Sequence, residues 1–342
     1  MKKDKVFVIA EISANHGGKL EIAKASLDAV KRTGADAVKF QTYTADTITL
    51  DAQTDDFKIK GGTIWDGKYL HDLYKEAHMP WSWQEELFEY AKELGLVCFS
   101  SPFDFTAVDF LEKLDCPIYK IASFEINDIP LIRYVAQKKK PMIISTGVAT
   151  KEDIVLALET CYNAGNKDVQ LLKCTSSYPA TLEDANLALL PKMASDFKVP
   201  VGLSDHTIGV VAPMVAISLG ARVIEKHFIL DKSIGGPDVT FSLDESEFTE
   251  LVKAVRDVEA SLGEAEYKLK ESQLNSRQFM RSLYASQNIE EGEEFTALNV
   301  KSVRPSYGLH TKYYSDLLGT TCVKGMKKGE PVQNENITIS TD

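Results

Sequence analysis

The stretch PVGLSDHTIGVVAPMVAISLGARVIEKHFIL, residues 200–230, holds in miniature the pattern on which the fold turns. A short β-rich run at 200–206 ends on His206, an apolar helical stretch follows, and a second β-rich run at 223–230 carries His227 near its end. The same alternation extends toward the N-terminus, with strand candidates at 6–13, 37–43, 97–103, 118–123, 141–146 and 169–176, each followed by a helical pattern. In the first helix Leu20, Ala23, Leu27 and Val30 share one face, and Gly34 ends it. The fifth opens on Thr150 and Asp153, spaced as a capping box. The eighth places Phe248, Leu251, Val252, Val255 and Leu262 on one face and stops at Gly263. Eight strand–helix units over about 260 residues predict an α/β fold, a (β/α)₈ TIM barrel. The competing arrangement, a doubly wound open sheet, lacks a Gly-rich fingerprint after its first strand.

One connection breaks the rhythm. Residues 44–79 separate the second strand from a helix beginning near Pro80, and they include Lys58-Ile-Lys-Gly-Gly62 and Trp65-Asp66-Gly67. A βα loop of that length opens onto the catalytic face, as a lid or specificity loop or as a contact between subunits. Past Gly263 a charged, apolar-poor segment reads as a linker. The sequence thus divides into a catalytic barrel at 1–265, a linker at 266–281 and a small β-rich domain at 282–342. That domain carries a repeat. Ile289-Glu-Glu-Gly292-Glu293 leads to Asn299-Val300, and Met326-Lys-Lys-Gly329-Glu330 leads at the same offset to Asn336-Ile337.

Bulk properties exclude several classes. With 44% apolar and 26% charged residues among 342, the chain is ordinary for a globular protein. No apolar run approaches the ~20 residues that span a bilayer, and Val6 to Ala10 is too short for a signal-peptide core. Five scattered cysteines without CxxC spacing predict reduced thiols and a cytoplasmic protein. A net charge of −11 argues against nucleic acid, so an anionic ligand needs a local basic cluster.

Catalytic groups of a barrel sit at the C-terminal ends of its strands. His206 and His227 end neighbouring strands, close enough to share one ion. Two imidazoles leave coordination positions open, which suits Lewis-acid chemistry by a divalent metal. Lys39 and Lys120 fall inside strand patterns, where an ammonium needs an anion. Lys226 and Lys173 are expected to snorkel to solvent instead. Hydroxyls at Ser100, Ser101, Ser123, Ser145, Thr146 and Ser204 converge on the same mouth, which describes a phosphate or carboxylate site. Glu11, Gln41, Glu125, Asp205 and Asp238 supply proton-transfer or sugar-binding groups, with Asp205 expected to orient the His206 ring.

These residues resemble the sialic acid synthase family nearly end to end. The matching motifs are Glu11-Ile-Ser-Ala-Asn15-His16-Gly-Gly18, Val38-Lys39-Phe40-Gln41-Thr42, Ser100-Ser101-Pro102-Phe103 and Tyr119-Lys120-Ile121-Ala122-Ser123-Phe124-Glu125. Ser145-Thr146-Gly147, Leu203-Ser204-Asp205-His206, Glu225-Lys226-His227-Phe228 and Gly236-Pro237-Asp238 complete the barrel's set, and the repeat resembles the family's SAF (antifreeze-like) domain. Asp56-Phe57-Lys-Ile-Lys-Gly-Gly62, Arg281-Ser-Leu-Tyr-Ala-Ser286 and Ser302-Val-Arg304-Pro-Ser-Tyr-Gly-Leu-His310 look most like the family's pseudaminic-acid branch. Ser176 stands where the N-acetylneuraminate branch usually has Asn.

The resemblance implies a C–C bond-forming transferase that condenses phosphoenolpyruvate with a 2-acetamido sugar aldehyde. For this branch the acceptor is 2,4-diacetamido-2,4,6-trideoxy-L-altrose, and a divalent cation of the Mn, Mg or Co type assists. By family position, Lys39, Ser101, Lys120, Ser123, Ser145 and Ser204 hold phosphoenolpyruvate. Gln41, Glu125, Tyr178 and Asp238 bind the sugar, Glu11 handles the proton of the attacking water, and His206 and His227 hold the metal. Arg304 completes the site of the other subunit in a domain-swapped homodimer. Synthesis of N-acetylneuraminate or legionaminate, a metal-dependent aldolase and a non-catalytic sugar-binding protein are the alternatives.

Overall fold

A computed structural model describes residues 5–60, 65–177 and 179–338. The chain forms two compact units, Met1–Gly263 and Glu264–Asp342.

In the first unit eight parallel strands close into a barrel in sequence order: β1 (Phe7–Glu11), β2 (Ala37–Thr42), β3 (Val97–Pro102), β4 (Tyr119–Ile121), β5 (Met142–Ser145), β6 (Val169–Cys174), β7 (Val201–Asp205) and β8 (Val223–His227). Every strand falls inside the run that predicts it, and closure through β1 and β8 rules out the open sheet. The strands are buried on both faces, so they read as apolar runs that turn polar only at their C-terminal ends. Faces turned outward pack on the helices; Phe40 of β2, for example, meets Phe88 at 6.1 Å between ring centroids. Full burial of such a ring contributes roughly 1.5–3 kcal/mol. Faces turned inward fill the barrel, and Gly202 is required there. A Cβ at this position would come within 2.5 Å of the Val223 carbonyl oxygen.

Local signals act as the sequence predicts. Helix Leu20–Thr33 ends on Gly34 with φ at 80°. Helix Lys151–Asn163 opens on a reciprocal box in which the Asp153 amide donates to Thr150 Oγ1 and the Thr150 amide to Asp153 Oδ2. Helix Glu245–Leu262 buries Phe248, Leu251, Val252 and Val255 but leaves Leu262 49% exposed, because the last turn runs past the packed face. The long connection after β2 is more ordered than a loop. It contains the short helices Ala45–Ile48 and Leu70–Ala77 and a 3₁₀ turn at Asp55–Phe57.

The second unit begins with the charged segment, part of which is helical at Glu271–Ser276. Beyond it β9 (Ser282–Ala285) pairs antiparallel with β10 (Val300–Val303) over a core that includes Leu283, Phe295, Val300, Leu317 and Val332. The repeated sequences form two halves that exchange hydrogen bonds. The Ile289 amide donates to the Met326 carbonyl and the Met326 amide to the Ile289 carbonyl, each at 2.8 Å. In the same way Gly292 donates to Cys322 and Gly329 to Ala285. Both glycines have positive φ, 86° and 91°, which explains their place in the repeat.

Candidate active site at the barrel mouth

Strand alternation decides which side chains enter the barrel. On β2 Lys39 and Gln41 share the inner face; on β7 Ser204 is followed two residues on by His206; on β8 Glu225 and His227 share it. These six residues line one cavity of about 360 Å³, joined by Lys120, Ser123, Glu125, Ser145 and Asp238.

The cavity floor is a network of buried charges. Lys39 forms an ion pair with Glu11 and lies 3.5 Å from Glu225 Oε1, while Lys120 lies 3.4 Å from the same oxygen. Ser204 donates to that oxygen at 3.0 Å. Burial works against the Lys39 ammonium, but Glu11 and Glu225 outweigh it and raise its pKa. Lys120 is less compensated: burial lowers its pKa, Glu225 opposes this, and the Lys39 charge adds to the lowering. Burial also disfavours the Glu225 carboxylate, yet the two lysines hold its pKa low. An ammonium so placed gains from any anion delivered to it. Ser145 Oγ is buried on the wall with no protein partner, and Ser123 Oγ accepts from the Gly147 amide at 3.1 Å. Any side chain at residue 147 would intrude here, since a Cβ would lie 2.2 Å from Ser176 Oγ.

Above this floor stand the two histidines, ring centroids 5.2 Å apart, with the edge of Phe241 against both. His206 Nδ1 lies 3.0 Å from the Thr175 carbonyl, which can only accept, so the proton sits on Nδ1 and the lone pair on Nε2. Burial lowers the His206 pKa, but the Cys174 sulfur at 3.8 Å, with the Thr175 carbonyl, raises it overall. Asp238 Oδ2 lies 3.6 Å from His227 Nδ1. Burial disfavours that carboxylate, and His227, Ser13 and the Ala14 amide more than offset the penalty. Among the described residues no three His, Cys, Asp or Glu side chains cluster as a metal-binding group. The donor set fits a divalent cation that takes two imidazoles from the protein and fills its other positions from water and substrate.

The remaining expected residues lie elsewhere. Glu11 and Ser101 are not among the lining residues but stand beside them in register, Glu11 next to Lys39 and His227 and Ser101 next to Gln41; both are reached by Lys39, whose Nζ is 3.4 Å from Ser101 Oγ. Tyr178 lies outside the described residues. Arg304 belongs to the second unit, where it is exposed.

Three expectations are corrected. Lys226 does not reach solvent: it is wholly buried, donating to Asp205 Oδ2 at 2.5 Å and to the Thr207 carbonyl. Lys173 is likewise buried, donating to Thr175 Oγ1 at 2.7 Å. Asp205 therefore serves Lys226 and the Thr207 amide, and the His206 ring is oriented by a backbone carbonyl instead. The sequence reading also passed over Glu225, Cys174 and the apolar residues that the 43–77 segment brings to the cavity. The signal for Glu225 was available, because it stands two residues before His227 on one strand face.

Residues 26–267 match the NeuB family and residues 280–338 match the SAF domain. The chain belongs to the NeuB family. It is 51% identical over 329 residues to a pseudaminic acid synthase of Campylobacter jejuni, covering 96% of each chain. To the pseudaminic acid synthase of Helicobacter pylori it is 46% identical over 334 residues, covering 97% of this chain and 98% of the other. Among solved structures, N-acetylneuraminic acid synthetase from Leptospira borgpetersenii superposes with a TM-score of 0.71 at 29% identity, covering 80% of this chain and 90% of that one. The NeuB-family barrel and its SAF domain are thus the architecture that the sequence motifs implied. Among the described residues no helix is long and apolar enough to cross a membrane.

Proposed function

We infer that this chain is a synthase that condenses phosphoenolpyruvate with 2,4-diacetamido-2,4,6-trideoxy-L-altrose, giving a nonulosonic acid and phosphate. The observation that carries the reading is the 51% identity to the Campylobacter jejuni pseudaminic acid synthase across 96% of both chains. The cavity supports the chemistry, since it sets a basic, hydroxyl-lined floor beside two imidazoles.

Lys39 and Lys120 receive the phosphate and carboxylate of phosphoenolpyruvate, with Ser101, Ser123, Ser145 and Ser204 donating to its oxygens. Phosphoenolpyruvate replaces Glu225 as the main counter-ion of Lys120. The sugar enters with its aldehyde toward His206 and His227, held by Gln41, Glu125, Tyr178 and Asp238. When bound between the histidines, a divalent cation of the Mn, Mg or Co type would polarise the aldehyde oxygen. Carbon 3 of phosphoenolpyruvate then forms its bond to the aldehyde carbon as the C=O π pair moves onto oxygen, which takes up a proton to become the new hydroxyl. Water adds to the cationic carbon 2 and gives up a proton toward Glu11, and the tetrahedral product expels phosphate by C–O cleavage. Arg304 of one protomer completes the site of a second in a homodimer. Five buried free cysteines fit a reducing compartment, the cytoplasm.

Mass spectrometry of products from phosphoenolpyruvate and a panel of acetamido-hexoses tests the reading. A nonulosonic acid with two acetamido groups, formed with stoichiometric phosphate, is expected. Product only from N-acetylmannosamine, or turnover without phosphate release, overturns it.

A further inference from the structure

The cavity has two chemically different sides. Its floor and the β7–β8 side carry the charges and imidazoles already described. A second, apolar wall is built from Tyr43 and the two short helices after β2, and those helices give it Ile48, Leu70, Leu73, Tyr74 and Ala77. On the second helix these positions recur at i, i+3, i+4 and i+7, so one amphipathic face borders the cavity. Its charged residues Asp72, Lys75 and Glu76 are exposed. The two helices are tied together by His71 Nε2, 3.1 Å from Asp46 Oδ1. Within the wall Tyr43 packs edge-on to Tyr74 at 5.7 Å and against Phe103 at 5.2 Å between centroids. A helix face normally meets protein core, but this one meets the substrate cavity, so its natural counterpart is hydrocarbon on the ligand.

We propose that this wall determines acceptor specificity by packing on the C6 methyl and the 4-acetamido methyl of the sugar. The inference rests on the function proposed above. With the aldehyde end by His206 and His227, as the proposed function requires, the far end of the open-chain hexose is set against this wall in the proposed arrangement. A sugar with hydroxyls at C4 and C6 would bury those groups against Ile48, Leu70 and Leu73 with no hydrogen-bond partner among these side chains. Discrimination by an apolar pocket against a hydroxyl is modest, roughly 10- to 100-fold.

The test compares kcat/KM for 2,4-diacetamido-2,4,6-trideoxy-L-altrose and for N-acetylmannosamine in the wild type and in Leu70→Asn and Ile48→Thr. Both positions are half-buried, so the substitutions spare the packed core, and circular dichroism with thermal melting verifies folding. The wild type should favour the trideoxy sugar at least tenfold. Each variant should narrow that ratio by roughly tenfold while KM for phosphoenolpyruvate stays within twofold. A ratio unmoved in both folded variants overturns the inference alone, as does equal damage to both sugars. If the wild type releases phosphate with neither sugar, the proposed function falls and takes this inference with it.

Discussion

Lys226 Nζ and Asp205 Oδ2 sit 2.5 Å apart on the outer faces of β8 and β7, directly behind the histidine pair. Each is one residue from a histidine, and Lys226 also holds the Thr207 carbonyl, so the pair pins the backbone on both sides of His206 to the strand carrying His227. Removing one partner of a buried pair costs about 3–5 kcal/mol. Lys226→Met should lower the urea midpoint accordingly and weaken Mn²⁺ binding by roughly 10–100-fold in calorimetry. The double variant Lys226→Met/Asp205→Leu should recover part of the stability but not the metal affinity.

His206→Ala and His227→Ala remove the imidazoles themselves. Each should abolish stoichiometric Mn²⁺ binding and reduce turnover by roughly three decades. Undiminished wild-type turnover in excess chelator would count against a metal at this pair.

Lys120 is the lysine with the weaker carboxylate compensation, so its contact with substrate is worth most. Lys120→Ala should raise KM for phosphoenolpyruvate by about 10–100-fold and leave KM for the sugar within a few-fold. Equal effects on both substrates, seen in steady-state phosphate release, would assign Lys120 to structure.

How much of this was legible beforehand depends on what each signal required. Strands buried on both faces announce themselves as apolar runs, and polar residues at their C-terminal ends mark the barrel mouth, so the convergence of Lys39, Lys120, His206 and His227 on one cavity could be read directly. The pairing of Lys226 with Asp205 could not, because it depends on a register between two strands that no local pattern encodes. The apolar wall escaped for a different reason. Its helices, Ala45–Ile48 and Leu70–Ala77, span one and two turns, too short for periodicity to stand out in a stretch rich in turn residues.

Glu125 gives the site a pH signature. Burial lifts its pKa from 4.5 to about 7, against the pull of Lys120. Between those values the folded chain keeps a proton that the unfolded chain has lost, so this residue's contribution to stability falls as pH rises through the window. Glu125→Gln removes the slope. Its melting temperature should exceed the wild type's by roughly 2–4 °C at pH 8 and by less at pH 5, measured by calorimetry.

Arg304 is exposed in the second unit, and the proposed homodimer places it in the other protomer's site. Protomers carrying His206→Ala and Arg304→Ala, each inactive alone, should regain activity when unfolded and refolded together. Random mixing gives roughly one intact site in four if the arginine acts in trans. A dead mixture, with dimers verified by light scattering, excludes that arrangement.

The exchanged hydrogen bonds of the repeated unit bear on how it assembles. Ile289 and Met326 satisfy each other, and the turn amides of Gly292 and Gly329 each end on a carbonyl of the opposite half. Neither half holds a complete set of partners, so half a domain would leave both a ladder and a core open. Such an architecture removes the stepping stones between coil and native state. The duplicated segment is therefore expected to form as a single cooperative event, although its sequence reads as two units.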